Sequence, residues 1–185
     1  MENWLKNYVR EHIEVINKLD QGEVARLIET IRQVRDQNKQ IFIAGNGGGA
    51  ACGSHLTVDL GKTASLECSR RFKVFSLSDV PWMTAIANDI SYDSVFSQQM
   101  ENFCQEGDLL IVFTVSGSSP NILEAVKAAK SHKMLTAAVV GDRNGPVIPM
   151  VDIPIVIKSR HFAHVEDMQS AICHMIAFYF REKHL

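Results

Sequence analysis

Apolar residues in the first part of the chain recur with a helical period. Leu5, Val9, Ile13, Ile16 and Leu19 mark one stripe, and Val24, Leu27, Ile28, Ile31 and Val34 mark a second. Spacings of three and four put each set on one helix face. Asp20-Gln21-Gly22 separates the two helices. The pattern then changes. Ile41–Ala44, Val74–Leu77, Leu109–Phe113, Leu135–Val140 and Ile153–Ile157 are short, nearly continuous apolar runs without clean alternation. Such runs fit strands buried on both faces of a parallel sheet. The segments between them, about 47–61, 81–102, 120–132 and 165–182, carry helical patterns. Ser119-Pro120 is a good helix start, with Ser as N-cap and Pro at the first helical position. The order predicts an α/β three-layer sandwich, a five-stranded parallel sheet with two leading N-terminal helices, as a single domain over residues 1–185. Ligands of such folds sit beyond the carboxyl ends of the strands.

Composition narrows the function classes. The formal charge of −2 argues against a nucleic-acid surface, and Arg70-Arg71 is too short a basic doublet to change that. No window approaches the run of about 20 apolar residues needed to span a bilayer, so no membrane partner is expected. Cys52, Cys68, Cys104 and Cys173 form no CxxC pair, which disfavours a zinc ribbon or a dithiol redox site. Their scatter and the charged N-terminus, which lacks the apolar core of a signal peptide, predict reduced thiols in a cytoplasmic protein.

Two loops carry the candidate chemistry. Gly45-Asn46-Gly47-Gly48-Gly49-Ala50-Ala51 follows the first strand, and Thr114-Val115-Ser116-Gly117-Ser118-Ser119-Pro120-Asn121 follows the third. Each runs from a strand through small residues into a helix. That arrangement aims backbone N–H groups, hydroxyls and a helix N-terminus at one spot, a chemistry for holding phosphate. The first loop lacks the context of a dinucleotide fingerprint and the Lys-Ser/Thr of a P-loop. Read plainly, it is a tight turn needing positive φ, and the second is a Ser-rich turn that caps a helix.

Titratable residues suggest a further site. His55 and Asp59 are spaced i, i+4 and share a helix face. Glu166 and His174, eight apart on the last helix, differ by about 80° and can face one cleft. Two carboxylates and two imidazoles suit a divalent metal or an acid–base division, although each pair also fits a solvated helix face. Nothing in the spacing brings the two helices together. Asn88-Asp89, followed by Tyr92, lies in a polar break and is read either as facing the same cleft or as an ordinary turn.

Gly45–Ala51 followed by His55, Ala87-Asn88-Asp89, the Ser-Gly-x-Ser loop at Ser116–Ser119 and Val165–His174 together resemble the sugar-isomerase (SIS) domain superfamily, and within it the phosphoheptose (sedoheptulose 7-phosphate) isomerase family. The resemblance covers nearly the whole chain. It implies a flavodoxin-like sheet and a homotetramer with sites at subunit interfaces. It also implies that Thr114, Ser116 and Ser119 hold the sugar phosphate, and that Asn46 and Asp89, with Gly47, Gly48, Asn88 and Glu166 beside them, bind the sugar. Asp59 falls at the position of the family's base and His174 at that of its acid. Some members carry zinc on the cluster corresponding to His55, Asp59, Glu166 and His174, so one zinc ion per site is expected. Asp59 stands where the family has Glu, Glu166 where it usually has Gln, and Gly49 where it usually has Ser. The expected activity is aldose–ketose isomerisation of a seven-carbon sugar phosphate through a cis-enediol, feeding heptose synthesis for surface glycans. The alternatives are a non-catalytic SIS regulator that binds a sugar phosphate or a protein, and an isomerase of another sugar phosphate.

Overall fold

The computed structural model describes residues 1–66 and 70–183; Cys68 lies outside them. Helices α1 (Glu2–Asn17) and α2 (Gln21–Asp36) come first. Strands β1 (Gln40–Gly45), β2 (Lys73–Ser76), β3 (Leu109–Thr114), β4 (Leu135–Gly141) and β5 (Ile153–Ile157) then alternate with helices. The five strands form one parallel sheet in the order β2-β1-β3-β4-β5. That is the flavodoxin-like order, and its switch point lies between β1 and β3.

Side chains of the central strands alternate between two cores. Ile41, Ile43, Leu109, Ile111, Phe113 and Val139 pack with α2 and with α7 (Phe162–Lys183). Phe42, Ala44, Leu110, Val112, Ala138 and Val140 pack on the other face with α6 (Pro120–Ser131). Every residue of β3 is buried, as expected of a strand covered on both faces. The edges differ from that expectation. β2 is half exposed, and β5 alternates and carries Pro154, which a sheet edge tolerates because no ladder N–H is lost there.

Two helical expectations change in the structure. The stretch 81–102 is not one helix but α4 (Val80–Asp89), a 3-10 turn (Tyr92–Ser94) and α5 (Ser97–Met100). Asp79 caps α4 by accepting from the Trp82 N–H. The first helix of the βα units, α3 (Gly48–Val58), passes into a π-helical segment at Asp59–Ala64; such segments recur at functional sites.

The stripe on α1 faces outward. Leu5, Val9, Ile13 and Ile16 are all exposed, and only Val15 of this helix is buried. The Tyr8 and His12 side of α1 meets α7 instead. By contrast, Val24, Leu27, Ile31 and Val34 of α2 are buried as the periodicity predicts. Asp20 caps α2 by accepting from the Gly22 and Glu23 N–H groups.

Candidate active site

The loops after β1 and β3 meet at the switch point and enclose a cleft of about 290 Å³ lined by Asn46, Gly48, Thr114, Ser116, Ser119 and Glu166, among others. The glycines of the first loop have separate reasons. Gly47 has φ +51, a left-handed conformation that costs glycine nothing. At Gly45 a Cβ would stand 2.5 Å from the Gly49 carbonyl carbon, so the first turn of α3 rests directly on the end of β1. A Cβ on Gly48 would strike the Glu166 carboxylate at 2.4 Å; Glu166 is seated on that glycine.

The second loop holds its own shape while leaving hydroxyl protons unused. Thr114 Oγ1 accepts from the Gly117 N–H and Ser116 Oγ from the Ser118 N–H. Ser119 occupies the N-cap position of α6, yet its side chain makes no capping hydrogen bond. Three hydroxyls therefore line the cleft beside a helix N-terminus, whose partial positive charge favours an anion. Asn46 is held by a reciprocal pair: its Nδ2 donates to Asn121 Oδ1, and Asn121 Nδ2 donates to Asn46 Oδ1, each at 2.9 Å. Tyr92 Oη also donates to Asn46 Oδ1, at 3.0 Å. Tyr92 thus reaches Asn46 at the edge of the cleft. Asn88 and Asp89 are exposed, hydrogen-bond to each other and do not line the cleft. Asn121 was not expected. The only local signal for it is an Asn one residue after the Ser-Pro start of α6.

Helices α3 and α7 run side by side in the same direction. Gly48 meets Glu166, Cys52 Sγ lies 3.3 Å from Ser170 Oγ, and His55 meets His174. His55 Nε2 is 3.3 Å and His174 Nε2 is 3.9 Å from Asp59 Oδ2. The two imidazoles pack edge to face with centroids 4.9 Å apart. Both histidines are about half exposed, whereas Asp59 is buried, and its Oδ2 has no hydrogen-bond partner. Thr63 Oγ1 donates to the other oxygen at 3.4 Å. The first pair and His174 therefore converge within one chain, whereas Glu166 does not join them. Glu166 is not in the group of three whose ligand atoms lie within 4.8 Å of one another. Its carboxylate lies over Gly48, two turns of α7 away, because eight residues of helix advance about 12 Å.

A buried, unpaired carboxylate oxygen facing two imidazole nitrogens fits a divalent cation. Among the described residues no cysteine Sγ belongs to this group of three; burial pushes both the Cys52 and the Cys173 thiol up.

Comparison with known proteins gives a consistent result. The family profile described as "SIS domain" matches residues 5–141. The phosphoheptose isomerase of Sulfurimonas denitrificans is 32% identical over 172 residues, 93% of this chain and 86% of that protein. Phosphoheptose isomerase 1 of Campylobacter jejuni is 30% identical over 178 residues, 95% of this chain and 96% of that protein. The structure of phosphoheptose isomerase from Neisseria gonorrhoeae superposes with a TM-score of 0.90 at 24% identity, covering 98% of both chains.

Proposed function

The chain belongs to the phosphoheptose isomerase family of SIS-domain proteins, and on that footing we propose that it interconverts sedoheptulose 7-phosphate and the corresponding aldose. It is an aldose–ketose sugar-phosphate isomerase. The observation that carries the site assignment is the convergence of His55, Asp59 and His174 two helical turns from a cleft lined by Thr114, Ser116 and Ser119.

Length supports the substrate. Glu166, which lines the cleft, and His174, in the cluster, are separated along α7 by about 12 Å. With C–C bonds of about 1.52 Å, an extended seven-carbon chain places its carbonyl end about 10 Å from the phosphate. A phosphate held by the Ser loop would leave C1 and C2 to extend toward the cluster, with Asn46, which lines the same cleft, as the contact for a sugar hydroxyl.

Asp59 takes the proton from C1 or C2, and His174 handles the proton on the neighbouring oxygen. Burial of Asp59 keeps water from competing for its outer oxygen, and His55 orients that oxygen from the adjoining turn. In place of that acid–base division the same three side chains would hold a zinc ion, and such an ion would supply a Lewis acid that polarises the sugar carbonyl. Glu166, seated over Gly48, adds a negative charge to the rim of the cleft and contacts the sugar. A homotetramer is supported by the outward stripe of Leu5, Val9, Ile13 and Ile16, which borders an apolar groove on α1 and is suited to a second copy. Light scattering in dilute solution tests this, and a monomeric mass contradicts it. No described helix is long and apolar enough to cross a membrane; the proposed cytoplasmic location is supported by the free thiols of Cys52, Cys104 and Cys173.

The deciding experiment incubates the protein with sedoheptulose 7-phosphate in deuterated water and follows label at C1 and C2 by NMR. Exchange with formation of aldose is expected. Binding of the sugar phosphate without exchange would favour the non-catalytic regulator, and neither binding nor exchange would point to another sugar phosphate.

A further inference from the structure

A second set of metal-binding side chains meets where α1 crosses the start of α7. His12 and His164 face each other with their Nδ1 atoms 3.3 Å apart. Asp167 Oδ2 is 4.0 Å from His12 Nδ1. These three ligand atoms lie within 4.8 Å of one another and share no residue with the His55, Asp59 and His174 group. His164 is 2% exposed, and its Nε2 is buried without a hydrogen-bond partner. The nearest charged atom to that nitrogen is Glu11 Oε2, at 3.6 Å.

We propose that His12, His164 and Asp167 form a second divalent-metal site, for a zinc-class ion, that fastens α1 to α7. The inference does not depend on the isomerase reading. Three observations support it. First, two nitrogens bound to one tetrahedral zinc at about 2.0–2.1 Å stand roughly 3.3 Å apart, the separation found here. Second, the surroundings match what metal ligands use. A ligating imidazole turns its other nitrogen toward a carboxylate, and a ligating carboxylate is itself hydrogen-bonded. Glu11 faces His164 Nε2, and Tyr8 Oη donates to Asp167 Oδ2 at 2.5 Å. Third, two imidazoles and one carboxylate suit zinc, copper or nickel better than magnesium or calcium. The fourth position falls to water or to His161, whose ring lies 4.7 Å from that of His164.

The site has an evident task. Most of the apolar side chains of α1 face solvent, and only Val15 is buried, so the helix has little of its own to hold it against the body. A cation shared by two helices adds its binding free energy to their docked arrangement.

The test uses the full chain stripped with chelator, in the variant His55→Ala/His174→Ala, which disables the first cluster. Zinc is titrated by calorimetry and cobalt by visible absorption. The expected result is one ion per chain, with the intense absorption of tetrahedral cobalt and a raised melting temperature. Adding His12→Ala should weaken binding by more than about 100-fold, since the loss of outer-shell partners alone costs about 10–100-fold. Asp167→Asn, at an exposed position, gives the same reading should His12→Ala fail to fold. Absence of stoichiometric uptake in His55→Ala/His174→Ala overturns the proposal, as does uptake that neither added substitution weakens. In either case the two imidazoles share only a hydrogen bond.

Discussion

Replacing Asp59 by Asn separates a catalytic role from a structural one. The buried Asp59 Oδ2 has no hydrogen-bond partner and lies 3.3 Å from His55 Nε2. Leaving such a group unmet costs the fold about 1–3 kcal/mol. An amide keeps the shape, removes the charge and offers an N–H toward that imidazole nitrogen. Thr63 can still donate to the remaining oxygen. On chelator-treated protein, Asp59→Asn should therefore leave stability unchanged or raise it by about 1 kcal/mol. Catalysis should respond in the opposite sense. Loss of a positioned base removes about 10²–10⁴ in rate, which is about 2.7–5.4 kcal/mol of barrier at 1.36 kcal/mol per decade. Urea unfolding gives the first quantity, and deuterium exchange at C1 and C2 of sedoheptulose 7-phosphate gives the second. The reasoning is refuted if activity stays within about threefold of wild type while stability falls by more than about 2 kcal/mol, the range of an ordinary structural lesion.

Ser116→Ala with Ser119→Ala should weaken sugar-phosphate binding by a few kcal/mol, since hydrogen bonds to charged groups contribute about 1.5–3 each; unchanged affinity by calorimetry in a folded variant removes the phosphate assignment. Gly45→Ala should destabilise by about 1–3 kcal/mol or more, because its Cβ would meet Gly49 backbone at 2.5 Å; an unaltered melting temperature contradicts that close approach. Asp152 offers a pH test. Burial pushes its carboxyl up, but hydrogen bonds from Thr136 and Lys130 outweigh this and hold it below the ordinary range. A depressed folded value gives stability that is present above the unfolded pKa of about 3.9 and lost as pH falls through the folded value. Asp152→Asn should therefore be less stable than wild type at pH 7, with the difference shrinking as acid is added below pH ~4; a gap independent of pH would contradict the ionic origin.

The apolar runs and their order specify the five strands, most of the flanking helices and the glycine-rich and serine-rich loops, because periodicity and turn chemistry act over a few residues, but not the break of 81–102 into three short pieces. The pairing of His55 with Asp59 was equally local, since four residues of helix bring them together. What joins this pair to His174 is the parallel packing of α3 on α7, where Gly48 meets Glu166 and Cys52 meets Ser170; Gly49 and Gly53 let α3 lie close on the sheet, since their added Cβ atoms would meet Phe113 and Ile43 within 3 Å. Sequence spacing holds no record of that packing. The same packing leaves Glu166 over Gly48, two turns of α7 from His174. The outward stripe of α1 shows the other limit. Its period gives a helix and an apolar face, but which way the face points depends on how Tyr8 and His12 dock against Asp167 and His164. Asn121 and the His12–His164 contact, separated by 75 and 152 residues from their partners, exist only once the sheet order and the helix layers have brought distant segments into reach.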